Sequence, residues 1–132
     1  MFEKLLEIRK NSYSPYTNFP TSSIVVTKDG KEFVGTNVED ASTRAGSCAE
    51  RSAIFSAISQ GVKKGDFKEI HILASKDENP GTPCFVCRQM LSELFEKDCK
   101  VYCYSETGNI KAFTINELCP YPFDEFTEED VK

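Results

Sequence analysis

The sequence has no apolar run approaching the roughly 20 residues that cross a bilayer, so no membrane-spanning helix is expected. Nor does it carry a cluster or stripe of lysines and arginines. With a net charge of −5, a nucleic-acid-binding surface is not expected, and a small uncharged partner suits the chain better. The opening residues Met1-Phe2-Glu3-Lys4 are charged and amphipathic rather than signal-like, which favours a cytoplasmic protein. Internal repeats, low-complexity tracts and linkers are also missing. The 132 residues therefore read as one domain over 1–132, large enough for a core without staples. The single histidine, His71, falls in an apolar run on an expected strand, where a core or sheet-surface role is the simplest reading.

Cysteine is what the chain does have. Six could form three disulfides, but a chain of this size with no signal sequence does not need them. In a reducing compartment, clustered cysteines are more often metal ligands or catalytic groups. Cys99, Cys103 and Cys119 sit in apolar contexts and read as small buried hydrophobes. Cys48, Cys84 and Cys87 are different.

Local patterns place these three on a scaffold. Apolar Phe2, Leu5, Leu6 and Ile8 recur at helical spacing, predicting an opening helix over 1–11 that Ser14-Pro15 breaks. Strands over 23–27 and 32–36 flank the hairpin signal Lys28-Asp29-Gly30-Lys31. After a polar loop over 37–47, residues 48–60 read as a buried helix ended by Gly61. A strand over 69–75, a helix from near Cys84 through Phe95, and strands over 100–104 and 110–113 follow. Residues 114–118 could add one helical turn. The order α-β-β-α-β-α-β-β predicts an α/β protein, a three-layer α/β/α sandwich around a mixed five-stranded sheet.

On this scaffold Cys48 and the Cys84/Cys87 pair lie at helix N-termini, where free N–H groups and the helix dipole favour thiolates. Two residues separate Cys84 from Cys87, so one backbone turn can present both sulfurs to one ion. Zinc suits such ligands, and three of them leave a fourth position for water. Three thiolates also weaken the Lewis acid, so a nearby cation is needed. Arg51 and Arg88 are the candidates, the alternative being that both are surface arginines. Glu50 is placed to shuttle protons instead of binding metal, provided it lies within about 3 Å of both water and substrate. As a mere helix-start carboxylate it would matter little to turnover. A redox C-x-x-C pair would not need a third upstream cysteine. A closed structural site would need a fourth ligand, for which only His71, Cys99 or Cys103 are at hand.

A Glu just after the first ligand, followed by Pro-Cys-x-x-Cys, is a signature of zinc-dependent nucleobase deaminases. The wider sequence resembles the small cytidine deaminases of pyrimidine salvage. The likeness runs through Tyr13-Ser14-Pro15-Tyr16-Thr17-Asn18-Phe19, Asp29-Gly30-Lys31 and Asn37-Val38-Glu39. It continues through Cys48-Ala49-Glu50-Arg51-Ser52-Ala53 and Thr82-Pro83-Cys84-Phe85-Val86-Cys87-Arg88-Gln89 to Glu117-Leu118-Cys119-Pro120 and Phe123. The resemblance implies one Zn2+ per subunit on Cys48, Cys84 and Cys87, with Glu50 as acid and base. It implies hydrolysis of cytidine or 2′-deoxycytidine to the uridine and ammonia, in a homotetramer whose sites are completed by neighbours. By the same resemblance, Asn37 and Glu39 bind the ribose and Phe19 packs on the base. The backbone at Ala49 and Pro83 reads the base edge, and Phe123 closes a site.

The chain departs from the family at Ser22-Ser23-Ile24, where Gly-Ala-Ala is typical, and at Asp40, where Asn is usual. Thr43 stands in place of a Tyr and is followed by Arg44; Phe85 and Val86 replace small residues between ligands. These positions bear on substrate identity and leave the zinc and proton-transfer positions intact. The competing functions are deamination of another cytosine nucleoside such as blasticidin S, of a nucleotide whose 5′ phosphate Arg44 would meet, a non-catalytic zinc or nucleoside-binding protein, and a nucleic-acid editor. Retained Asn37 and Glu39 favour a simple ribose. Glu50 argues against a pure binding role, and the acidic balance against an editor.

Overall fold

Residues 28–31 turn the chain through Gly30, at φ 88°, while the Thr27 amide donates to the Lys31 carbonyl. That turn joins β1 (Ser22–Thr27) to β2 (Glu32–Thr36), an antiparallel pair. The computed structural model describes residues 1–124. Around the hairpin run α1 (Phe2–Arg9), α2 (Ala49–Ser59), β3 (Phe67–Leu73), α3 (Phe85–Leu94), β4 (Lys100–Tyr104), β5 (Ile110–Thr114) and α4 (Ile115–Leu118). The sheet order is β2-β1-β3-β4-β5, with β3 and β4 parallel and the other neighbours antiparallel. The expected mixed five-stranded sheet is present.

Alternation along the strands divides the core into two layers. One face carries Val25, Ile70, Ile72, Val101 and Cys103, packed against Ala53, Ile54 and Ala57 of α2 and Leu91 of α3. The other carries Ile24, Leu73 and Tyr104 under Leu5 of α1. Helices on both faces complete the three layers. The β1–β3 register shifts between Val26 and Thr27, so that Phe67 opposes Thr27 and joins the α2 side of the core. β3 begins two residues before the expected 69 and ends at Leu73, two before the expected 75. The four-residue α4 is fixed by a capping box between Thr114 and Glu117.

One expectation needs correction, and the reading of His71 as a core or sheet residue holds. Cys103 is buried, but Cys99 and Cys119 are only half-buried, and the Cys99 thiol is 3.6 Å from the Phe67 carbonyl. His71 is a buried sheet residue under α1, so it cannot close a zinc site on the α2 side. The C-terminal acidic run Glu128-Glu129-Asp130, which the sequence alone reads most simply as a solvated end, lies outside the described residues.

Candidate active site

Cys48 and Cys84 occupy the N-cap positions of α2 and α3, with extended backbone at ψ 157° and 163°. Neither sulfur caps its own helix. Both are therefore free to turn toward each other, and they lie 3.7 Å apart. Cys87 stands one turn into α3 and is buried. All three Sγ atoms fall within 4.8 Å of one another, and among the described residues they form the only such cluster of potential ligands. Tetrahedral zinc with about 2.3 Å bonds to sulfur holds its ligands about 3.8 Å apart, so the donor set fits this ion in type and spacing.

What brings α2 here is Gly35 on β2. A Cβ at Gly35 would lie 2.4 Å from the Ala53 nitrogen and 2.6 Å from the Ala49 carbonyl oxygen. Helix and strand backbones thus touch directly, which seats Cys48, Ala49 and Glu50 over the sheet.

The electrostatics follow from crowding. The Cys48 thiol is lowered to about 5, chiefly because it accepts a hydrogen bond from Cys87, with further help from Arg51. Cys87, the donor in that bond and itself buried, moves the other way. Glu50 is only 4% exposed, and burial raises its pKa; the neighbouring Cys48 thiolate pushes it further up, against the pull of Arg51. Arg51 Nη2 lies 3.6 Å from Cys48 Sγ, while its Nε is buried without a partner. An unspent donor beside three sulfurs is what a thiolate-rich metal site calls for.

Arg88 does something else. Its Nε donates to the Pro83 carbonyl at 2.7 Å, Nη2 to the Thr82 hydroxyl at 2.9 Å and Nη1 to the Leu118 carbonyl at 3.2 Å. It fixes the loop ahead of Cys84 and makes no bond to sulfur among these contacts.

Beside Cys48 opens a pocket of about 290 Å³, lined by Asn37, Glu39, Thr43 and Arg51 among others. The Glu39 carboxylate accepts from the Tyr16 and Thr17 amides at 3.1 and 3.2 Å and bonds the Thr17 hydroxyl, whose contact chiefly lowers its pKa. Asn37 accepts from the Thr21 amide at 2.9 Å and bonds the Ser12 hydroxyl. Its side-chain nitrogen donates to the Phe19 carbonyl at 2.8 Å. Both residues thus staple the loop carrying Phe19, a scaffold task that sequence alone did not reveal. Phe19 stands outside the pocket lining, with Lys76 Nζ 5.0 Å from its ring centroid. Pro83 and Ala49 are buried next to Cys84 and Cys48. Phe123 lies apart from the pocket, its backbone bonded to Gln89 of α3.

The departures between Cys84 and Cys87 do not crowd the sulfurs. Phe85 and Val86 are 76% and 61% exposed, and Arg88 stacks on the Phe85 ring at 4.4 Å. Thr43 does reach the pocket, from a left-handed backbone at φ 61°.

Residues 1–104 match the family model of the cytidine and deoxycytidylate deaminase zinc-binding region. The chain belongs to this family. A cytidine deaminase of Halalkalibacterium halodurans is 36% identical over 131 residues, covering 99% of this chain and 95% of its own. One from Sporosarcina psychrophila is 34% identical, covering 98% and 93%. The crystal structure of a cytidine deaminase from Burkholderia pseudomallei superposes with a TM-score of 0.87 at 36% identity, covering 92% of this chain and 94% of that one. The mixed sheet with helices on both faces is the fold of this deaminase family, zinc is the family's cofactor, and the cluster of Cys48, Cys84 and Cys87 could hold a metal ion.

Proposed function

We propose that this chain hydrolyses cytidine and 2′-deoxycytidine to the corresponding uridines, releasing ammonia. The observation that carries the reading is Glu50, a buried carboxyl with raised proton affinity beside three clustered thiols. A group that moves protons near neutral pH needs a pKa lifted from the usual carboxylate range.

Cys48, Cys84 and Cys87 hold the zinc, which when bound supplies the Lewis acidity that makes water nucleophilic at neutral pH. Glu50 takes the proton from the attacking water as oxygen joins C4 of the base, and places it on the ring nitrogen. It then carries a proton to the exocyclic amine as the C4–N bond breaks, so ammonia leaves and the carbonyl of uracil remains. Arg51 offsets the negative charge of the sulfurs. Asn37, with one amide hydrogen beyond its bond to Phe19, and Glu39 with its ionised carboxylate serve as sugar-binding groups. Phe19 packs on the base, and the backbone at Ala49 and Pro83 reads its edge.

The finer points belong to the same reading. The chain acts as one domain over 1–132 in the cytoplasm, in pyrimidine salvage, as a homotetramer with one zinc per subunit and Phe123 completing a neighbour's site. Supporting assembly, Phe55 and Ile58 of α2 and Phe85 and Val86 of α3 are all exposed, apolar surface that an interface between copies would cover.

The test is ammonia release by the zinc-loaded protein from cytidine, 2′-deoxycytidine, deoxycytidylate and blasticidin S. Turnover of the two nucleosides well above the others is expected. Turnover confined to deoxycytidylate or blasticidin S would replace the substrate assignment.

A further inference from the structure

We propose that Gln89 is a positioning residue that holds Phe123 in the place from which it closes an active site, an inference that rests on the reading of Phe123 given above. Gln89 Oε1 accepts from the Phe123 amide at 2.9 Å, and Gln89 Nε2 donates to the Phe123 carbonyl at 2.7 Å. One side-chain amide therefore meets both backbone groups of one residue, as a neighbouring strand would. The backbone is gripped, yet the Phe123 residue remains 59% exposed, and Tyr121 is 95% exposed.

The segment leading to Phe123 is stiff by composition. Pro120 and Pro122 fix two φ angles and remove two N–H groups, which limits how the chain can bind itself. Its start is tied as well, because Arg88 donates to the Leu118 carbonyl. Arg88 and Gln89 are adjacent, so consecutive residues of α3 hold the two ends of the segment 118–123. The same Arg88 holds the Pro83 carbonyl one residue before ligand Cys84. The metal-binding turn and the segment bearing Phe123 thus share one anchor on α3. An exposed aromatic residue on a stiff, doubly anchored segment suits presentation to another copy of the chain.

The test compares native protein, Gln89→Ala, Gln89→Glu, Phe123→Ala and the Gln89→Ala/Phe123→Ala double variant, each zinc-loaded and full length. Gln89→Glu keeps an acceptor for the Phe123 amide but sets a carboxylate against its carbonyl. Zinc content and assembly size are measured beside the kinetics. Gln89→Ala is expected to raise KM for cytidine about tenfold with kcat within about twofold, zinc and assembly unchanged, and Gln89→Glu to fall between it and native. The double variant should be no worse than Phe123→Ala, since both changes remove one ring from one place. A Phe123→Ala defect without a Gln89→Ala defect, or defects that multiply in the double variant, would overturn the positioning role and leave the role of Phe123 standing. A Phe123→Ala protein with native KM would instead overturn the reading of Phe123, and the role of Gln89 with it.

Discussion

The two faces of the sheet both bury ionisable groups, and they treat them in opposite ways. Under α1, His71 is paired at both ring nitrogens: Nδ1 meets the Tyr104 hydroxyl at 2.8 Å and Nε2 the Glu69 carboxylate. Its ring stacks on Tyr102 at 4.8 Å, and Phe2 of α1 stacks over Tyr104. On the α2 side, Glu50 is held with raised pKa, Arg51 Nε is unpaired, and three sulfurs gather with no cap to satisfy. A polar cluster whose valences are all filled stabilises and orders a fold; one left with open valences beside a pocket is built to bind and react.

The sharpest way to break this contrast is to remove a ligand. Cys84→Ala, at an exposed position with little packing to lose, should abolish stoichiometric zinc by atomic absorption and reduce turnover to background. Retained zinc would mean the three sulfurs do not act together. Next is Arg51→Ala, expected to lower kcat/KM about 10- to 100-fold with zinc still bound. Unchanged kinetics would reduce Arg51 to a surface residue. Gly35→Ala forces α2 off β2 and should cost about 1–3 kcal/mol of stability and speed zinc loss to a chelator. Native zinc retention would show that the helix–strand contact does not set the site.

The smallest effect on activity is expected on the other face. His71→Phe should leave kcat and KM unchanged while lowering Tm, since Glu69 and Tyr104 lose their partner at about 1–3 kcal/mol. Burial lowers the pKa of His71, so the unfolded chain takes up its proton more readily than the folded one. The neutral ring's contribution is present above the unfolded value of about 6.5 and is lost as pH falls from there through the lowered folded value. Melting curves across that window should show the decline in the native protein and a flatter profile in His71→Phe; parallel profiles would remove His71 as the cause.

These contrasts also mark what the sequence could disclose. Period and punctuation located every strand, and the hairpin at Lys28-Asp29-Gly30-Lys31 and the two helices starting at the cysteines were legible because their signals are local. The sulfur trio was legible because ligand spacing is constrained by the ion. Hidden were the contacts that join distant segments through single atoms. Gly35 gives no sign in its own neighbourhood that α2 will rest on it. Asn37 reads as a sugar ligand, yet its amide also ties Ser12, Phe19 and Thr21 together. Arg88 was one of two candidates for a sulfur partner, and only the packed fold turns it to the Pro83 and Leu118 carbonyls. Cys99 and Cys119 looked like core residues from their apolar neighbours, but the layers end before enclosing them.

The measurement that tests the central claim most directly is cytidine turnover by Glu50→Gln alongside its zinc content. The amide keeps the size of the buried side chain and removes its capacity to carry a proton. The account predicts full zinc, native melting behaviour and a kcat lowered about 10²- to 10⁴-fold. Near-native turnover in a zinc-replete, folded Glu50→Gln protein would contradict it.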